Sequence, residues 1–156
     1  MMHPKGAALC ARGLMATLRD LRVNYIGGLE MGAVPLLSVI SALSAEMGGP
    51  IPSFFVRKTP KQHGTQAKIE GLDDFSGETL AGRHVVLIDD VATSGGSIVQ
   101  AVDEIEKAGG LVSHAIVILD RQEGAIERLA GRGITLHSLF TAADLGVTEV
   151  DRLPLD

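Results

Sequence analysis

The sequence predicts an α/β fold with a mostly parallel central sheet flanked by helices, and three observations carry that expectation. Short apolar runs alternate with stretches of helical periodicity. The runs are apolar at successive positions rather than at every second one, as strands covered on both faces require. Two of the helical stretches close at glycine pairs, Gly48-Gly49 and Gly109-Gly110.

The elements follow in order. Leu9, Leu14, Leu18 and Leu21 lie close to a 3.6 period and predict a helix over 5–21, followed by a short strand at 25–27 that ends in glycine. A second helix is expected over 33–47, with Pro35 tolerated in its first turn. Residues 53–56 form the next apolar run, and RKTPKQHGTQAKIEG, 57–71, shows no apolar period and reads as a long flexible loop. A strand at 85–88 follows. Ile98, Ala101, Val102, Ile105 and Ala108 keep i, i+3, i+4, i+7 spacing and mark the clearest helix. A strand at 112–119, a short helix at 125–130 and a last strand at 134–139 complete the pattern.

The 156 residues suit one domain, 1–156. Hydrophobic residues make up 46%, yet no run approaches the ~18 apolar residues that cross a bilayer, so a membrane protein is not expected. A net charge of −5, with one tyrosine, four phenylalanines and no tryptophan, argues against a nucleic-acid surface. The start has no apolar stretch followed by a small-residue cleavage site, and Cys10 is the single cysteine, so the chain reads as cytoplasmic and free of disulfides. His3, His84, His114 and His137 have no metal-ligand spacing and read as structural or surface residues.

In open parallel sheets ligands bind beyond the carboxyl ends of the strands. Four segments occupy such places. The densest is VVLIDDVATSGGSI, 85–98: an apolar strand, the carboxylates Asp89 and Asp90, then a turn opening the best helix. Gly95 and Gly96 permit close backbone approach, and Thr93, Ser94 and Ser97 supply hydroxyls at a helix amino end, which suits phosphate. No lysine follows the glycines, so the turn is not a Walker A loop. The carboxylates would repel phosphate but accept hydrogen bonds from sugar hydroxyls, so a phosphorylated sugar satisfies both halves. Alternatively, Asp90 and Ser97 cap turns and the glycines shape the bend.

In the loop, Arg57, Lys58, Lys61 and Lys68 fall within twelve residues together with His63 and no acid. Such a cluster attracts a polyanion, and a mobile loop of this kind excludes water when it closes. GGLEMGAVP, 27–35, is a glycine-flanked turn between strand and helix. LDRQEGA, 119–125, places Arg121 at a strand's carboxyl end, where its guanidinium suits a carboxylate ligand or, alternatively, pairs with Asp120 or Glu123.

The 85–98 pattern resembles the phosphoribosyl pyrophosphate (PRPP) motif of type I phosphoribosyltransferases, and the basic loop resembles that of the orotate branch. The resemblance implies that Asp89 and Asp90 bind the ribose hydroxyls, and that Ala92, Thr93, Ser94, Gly95, Gly96 and Ser97 bind the 5-phosphate. It implies PRPP contacts from Arg57, Lys58, Lys61 and His63, with Lys58, Lys61, His63 and Asp90 as the catalytic set. Leu29, Glu30, Met31 and Gly32 match the pyrophosphate loop, with a cis peptide placed at Leu29-Glu30. Thr93 and Arg121 match the orotate contacts. Magnesium is implied as cofactor, held by substrate and water rather than by a protein ligand set, and a homodimer whose basic loop reaches the neighbouring site is implied as the assembly. The resemblance runs from about residue 5 to 144. It lacks the family's preceding segment, part of a hood over the base, which leaves open a late start, a hood supplied by a partner, or changed transfer. The activity implied is transfer of phosphoribosyl from PRPP to orotate in UMP synthesis. A PRPP-binding regulator on the same fold and a transferase for another base remain as alternatives.

Overall fold

The computed structural model describes residues 3–59, 68–72 and 79–147. Four strands form a parallel sheet in the order β1-β4-β5-β6: β1 Tyr25–Gly27, β4 His84–Ala92, β5 Leu111–Asp120 and β6 Thr135–Thr141. A separate antiparallel pair joins β2 Phe55–Val56 to β3 Ile69–Glu70. The β2 segment also runs along the free edge of β1. Ile26 N–H donates to Pro52 O (3.1 Å), Phe54 N–H to Ile26 O (3.1 Å) and Val56 N–H to Gly28 O (2.8 Å). The chain thus leaves β1 for one side and returns as β4 on the other. That reversal opens a crevice at the carboxyl ends of β1 and β4.

Alternation along β4 explains why Val85 to Ile88 are apolar at successive positions. Val86 and Ile88 face a cluster with Leu14 and Leu18 of α1 (Pro4–Leu18) and Leu36 and Ile40 of α2 (Ala33–Glu46). Val85 and Leu87 face the opposite cluster, with Ile98, Val102 and Ile105 of α3 (Gly96–Lys107) and Leu129 of α4 (Ala125–Ala130). Each sheet face is therefore covered, and the middle of β4 has no polar side to show. Gly28 lies where the first strand meets the second helix. A Cβ there would collide with the Ile88 carbonyl oxygen and the Ala33 methyl, so only glycine allows this approach.

The strand expected at 53–56 is shortened to Phe55–Val56 and the last, expected at 134–139, is Thr135–Thr141; the larger differences lie at three other places. Helix α1 ends at Leu18, because the Leu21 amide turns back to the Leu18 carbonyl at 3.1 Å and breaks the helical ladder. Strand β4 runs past the expected 85–88 to Ala92, since parallel pairing with β5 continues through Asp89↔Val117 and Ala92↔Asp120. Backbone bonds carry the two carboxylates within the strand, and side-chain hydropathy does not report that. The expected loop 57–71 holds β3, too short to leave a period of its own, and Arg57 N–H donates to Lys68 O at 2.7 Å. Residues 60–67 lie outside the described residues. Beyond β6, Ala143–Leu145 adds a 3-10 turn. Among the described residues, no helix is long and apolar enough to cross a membrane.

Candidate active site

The crevice at the sheet's reversal is an open hollow of about 320 Å³, lined by Leu29, Glu30, Met31 and Gly32 after β1, Lys58 after β2, Asp89, Asp90 and Val91 on β4, and Ser97 on α3. Three of the four sequence segments singled out thus meet in one place. The fourth, at Arg121, is tied to the end of β4 that leads into the phosphate-type turn: Ala92 pairs with Asp120, and Arg121 N–H donates to Ala92 O at 2.9 Å.

Asp89 is buried, with 7% of its surface exposed. One carboxylate oxygen accepts from Asp90 N–H (3.0 Å) and the other from Ser97 Oγ (3.0 Å). Burial pushes its carboxyl up to about 6, against the opposing pull of those two hydrogen bonds, and repulsion from Asp90 adds to the rise. Asp90 Oδ1 accepts from Val91 N–H at 2.8 Å. The turn after β1 comes close to both acids: a Cβ on Gly32 would lie 2.7 Å from Asp90 Oδ1 and 2.8 Å from Asp89 Oδ1. A glycine here leaves the carboxylates room to meet a ligand.

The cis peptide of this turn is Glu30-Met31, not the expected Leu29-Glu30. Glu30 N–H donates to Val56 O at 2.8 Å, extending the parallel pairing that Leu29 makes with Val56. The chain is strand-like through the Glu30 amide, and it turns one residue later than expected. The Glu30 carboxylate in turn accepts from Lys58 N–H at 2.8 Å, joining the turn to the start of the basic loop.

The basic cluster is divided. Lys68 Nζ lies 3.0 Å from Glu104 on α3, and Arg57 Nη1 lies 3.4 Å from Glu70 on β3. Two of the four expected cations are therefore matched by carboxylates, whereas Lys58 lines the hollow. Lys61 and His63 lie outside the described residues. Arg121 Nη2 pairs with Glu123 at 2.7 Å, one of the alternatives the sequence allowed. That contact takes one edge of the guanidinium, and a planar fork has a second edge for a carboxylate.

At the phosphate-type turn, Gly95 takes φ 75° and packs on Ala125 at the start of α4. This brings in a side chain that the motif reading missed. Arg128 Nη1 lies 3.4 Å from Ser94 Oγ, a contact spanning 34 residues that no local pattern signals. Asp120, the other partner the sequence offered for Arg121, has a different role. It is buried, its carboxylate accepts from Gln122 N–H (2.8 Å) and its carbonyl from Ala142 N–H (2.8 Å), so it shapes the turn that carries Arg121 and Glu123.

Among the described residues, no group of three His, Cys, Asp or Glu side chains is placed to hold a metal ion. Asp89 and Asp90 nonetheless offer carboxylate oxygens at the hollow, a donor type that fits a hard cation completed by water and ligand oxygens. His114 and His137 meet across β5 and β6, with Nδ1 and Nε2 3.3 Å apart.

Comparison with known proteins agrees with this geometry. Residues 5–138 match the family described as phosphoribosyl transferase domain. The chain is 46% identical over 144 residues to an orotate phosphoribosyltransferase of Rhodopseudomonas palustris (strain TIE-1), covering 92% of this chain and 76% of the relative. Among solved structures, it is similar to the orotate phosphoribosyltransferase of Mycobacterium tuberculosis H37Rv in complex with Fe(III) dicitrate, with a TM-score of 0.80, 33% identity, and 93% and 78% of the two chains covered. The same enzyme in complex with 5-phospho-α-D-ribosyl 1-diphosphate superposes with a TM-score of 0.76 at 30% identity, with 93% and 78% covered.

Proposed function

Because the chain belongs to the phosphoribosyl transferase family, we propose that it is an orotate phosphoribosyltransferase, joining orotate to PRPP to give orotidine 5′-monophosphate and pyrophosphate in UMP synthesis. The observation that carries this reading is one hollow lined by the carboxylate pair, the turn after β1, Lys58 and Ser97 of the phosphate-type turn, with Arg121 bonded to the end of β4 at Ala92.

Asp89 and Asp90 receive the ribose hydroxyls of PRPP. Ala92, Thr93, Ser94, Gly95, Gly96 and Ser97 hold the 5-phosphate through backbone amides and hydroxyls at the amino end of α3. Leu29, Glu30, Met31 and Gly32 face the pyrophosphate, with Lys58 across the hollow. Thr93 and the free edge of Arg121 take orotate, the guanidinium meeting its carboxylate. The bond from C1 of the ribose to the pyrophosphate oxygen breaks, the bond from C1 to N1 of orotate forms, and the N1 proton is lost. The chain contributes positioning and charge stabilisation as negative charge develops on the departing pyrophosphate. Lys58, Lys61 and His63 supply that charge, the last two assigned on the family resemblance, as is the PRPP contact of Arg57, which would exchange Glu70 for the ligand.

Asp89 and Asp90 are the carboxylates that would hold magnesium, through water and substrate oxygens. When bound, the ion neutralises pyrophosphate charge. The reading includes a single domain over 1–156, a cytoplasmic location, and a homodimer in which the loop of one copy reaches its partner's hollow. The test is orotate-dependent release of pyrophosphate from PRPP with magnesium. Turnover with orotate supports the proposal. Turnover only with another base makes it a different transferase, and PRPP binding without turnover makes it a regulator.

A further inference from the structure

We propose that Arg128 is a further phosphate-binding residue, completing from α4 the turn at 93–97. The inference rests on the functional reading above, which puts the 5-phosphate of PRPP at that turn. Between Ala92 and Ser97 the chain offers only amides and hydroxyls, with no lysine or arginine. A phosphate dianion held there by neutral donors alone would lack a countercharge. Arg128 provides one from a different element, its Nη1 3.4 Å from Ser94 Oγ and 3.5 Å from where a Cβ on Gly96 would stand.

Two features fit a ligand-directed guanidinium better than a surface charge at rest. Among the described residues no carboxylate lies within ion-pair distance of Arg128, whereas Arg132, just past the end of α4, is held by Asp103 and Glu106 at 2.9 Å each. The acids along α3 therefore neutralise one arginine and leave the other free. The contact with Ser94 also has a direction. Arginine only donates, so Ser94 Oγ accepts from Nη1 and its own O–H is released to donate to phosphate. Packing of Ala125 against Gly95 fixes α4 to the turn and holds this arrangement.

The two ends of PRPP separate this role from general electrostatics, because the hollow that takes pyrophosphate is lined by other residues. The full chain and its Arg128→Ala, Arg128→Gln and Arg128→Lys variants would be titrated with ribose 5-phosphate and, separately, with inorganic pyrophosphate and magnesium. Arg128→Ala and Arg128→Gln should weaken ribose 5-phosphate about tenfold while pyrophosphate changes less than about twofold. Arg128→Lys should recover part of the loss, and the salt dependence of ribose 5-phosphate binding should flatten in the neutral variants. Arg128 is exposed, so thermal unfolding of the variants should match the parent. If Arg128→Ala fails to fold, the glutamine and lysine variants decide. A neutral variant that binds ribose 5-phosphate like the parent, or loses both ligands equally, overturns this inference and leaves the transferase reading standing. A parent chain that binds neither PRPP nor ribose 5-phosphate overturns both.

Discussion

Asp89→Asn should make the unliganded protein more stable at pH 8 while removing its ability to hold the sugar. The Asp89 carboxyl is pushed by burial from an ordinary value of 3.8 to about 6. Between those values the folded chain binds a proton that the unfolded chain has released, so stability falls as pH rises through that window and is level above it. At about 1.4 kcal/mol per pH unit, keeping this carboxylate ionised costs the fold about 3 kcal/mol at pH 8. Asparagine retains an oxygen for Asp90 N–H and can donate to Ser97 Oγ, but it never ionises. The variant should therefore gain about 2–3 kcal/mol on the parent between pH 4 and pH 8, or roughly 5–10 °C in Tm for a chain of this size. Thermal unfolding of both proteins across that range, without ligand, gives the measurement. A Tm difference that does not change with pH, or that favours the parent as pH rises, refutes the reasoning that this acid is held against its own desolvation.

Other substitutions test the walls of the hollow. Gly32→Ala puts a methyl within 3 Å of both carboxylates, and kcat/KM for PRPP should fall about a hundredfold with little change in Tm, which steady-state kinetics and calorimetry would separate. Gly28→Ala instead drives a methyl into the Ile88 carbonyl and Ala33, so it should destabilise by about 3 kcal/mol or more, read as a lowered denaturation midpoint in urea. Glu123→Ala removes the partner that orients Arg121; the KM for orotate should rise about tenfold with the KM for PRPP unmoved, and Glu123→Gln, which keeps an acceptor oxygen, should restore part of it.

Fold and site were legible to different depths, and the reason is the range of the interactions concerned. The alternation of strands and helices could be read because each face of the sheet selects apolar residues locally, as Val85 to Ile88 show by dividing between two clusters. The continuation of β4 through Asp89 and Asp90 could not be read from hydropathy, because its cause is a backbone ladder to β5, and a ladder is indifferent to side-chain polarity. For the same reason the two-residue β3 was hidden inside a polar loop.

Charge was read least well, although the residues that carry it were all visible. A window of four bases without an acid suggests one anion site, but carboxylates distant in sequence enter the window from outside it: Glu104 takes Lys68 from 36 residues away and Glu70 takes Arg57 from 13. The converse holds at the phosphate-type turn, which has no base in its own segment and receives Arg128 from 34 residues away. Local charge density is a property of the chain, whereas the field at a ligand is a property of the pairings left after folding. A cation matters to a ligand when the fold brings it to the site and leaves it donors that no carboxylate takes, as at Arg128 and at the second edge of Arg121. Sequence windows report neither condition, while the packing of α3 and α4 around one turn sets both. This is why the motif that located the site carried no signal for the arginine now assigned to it.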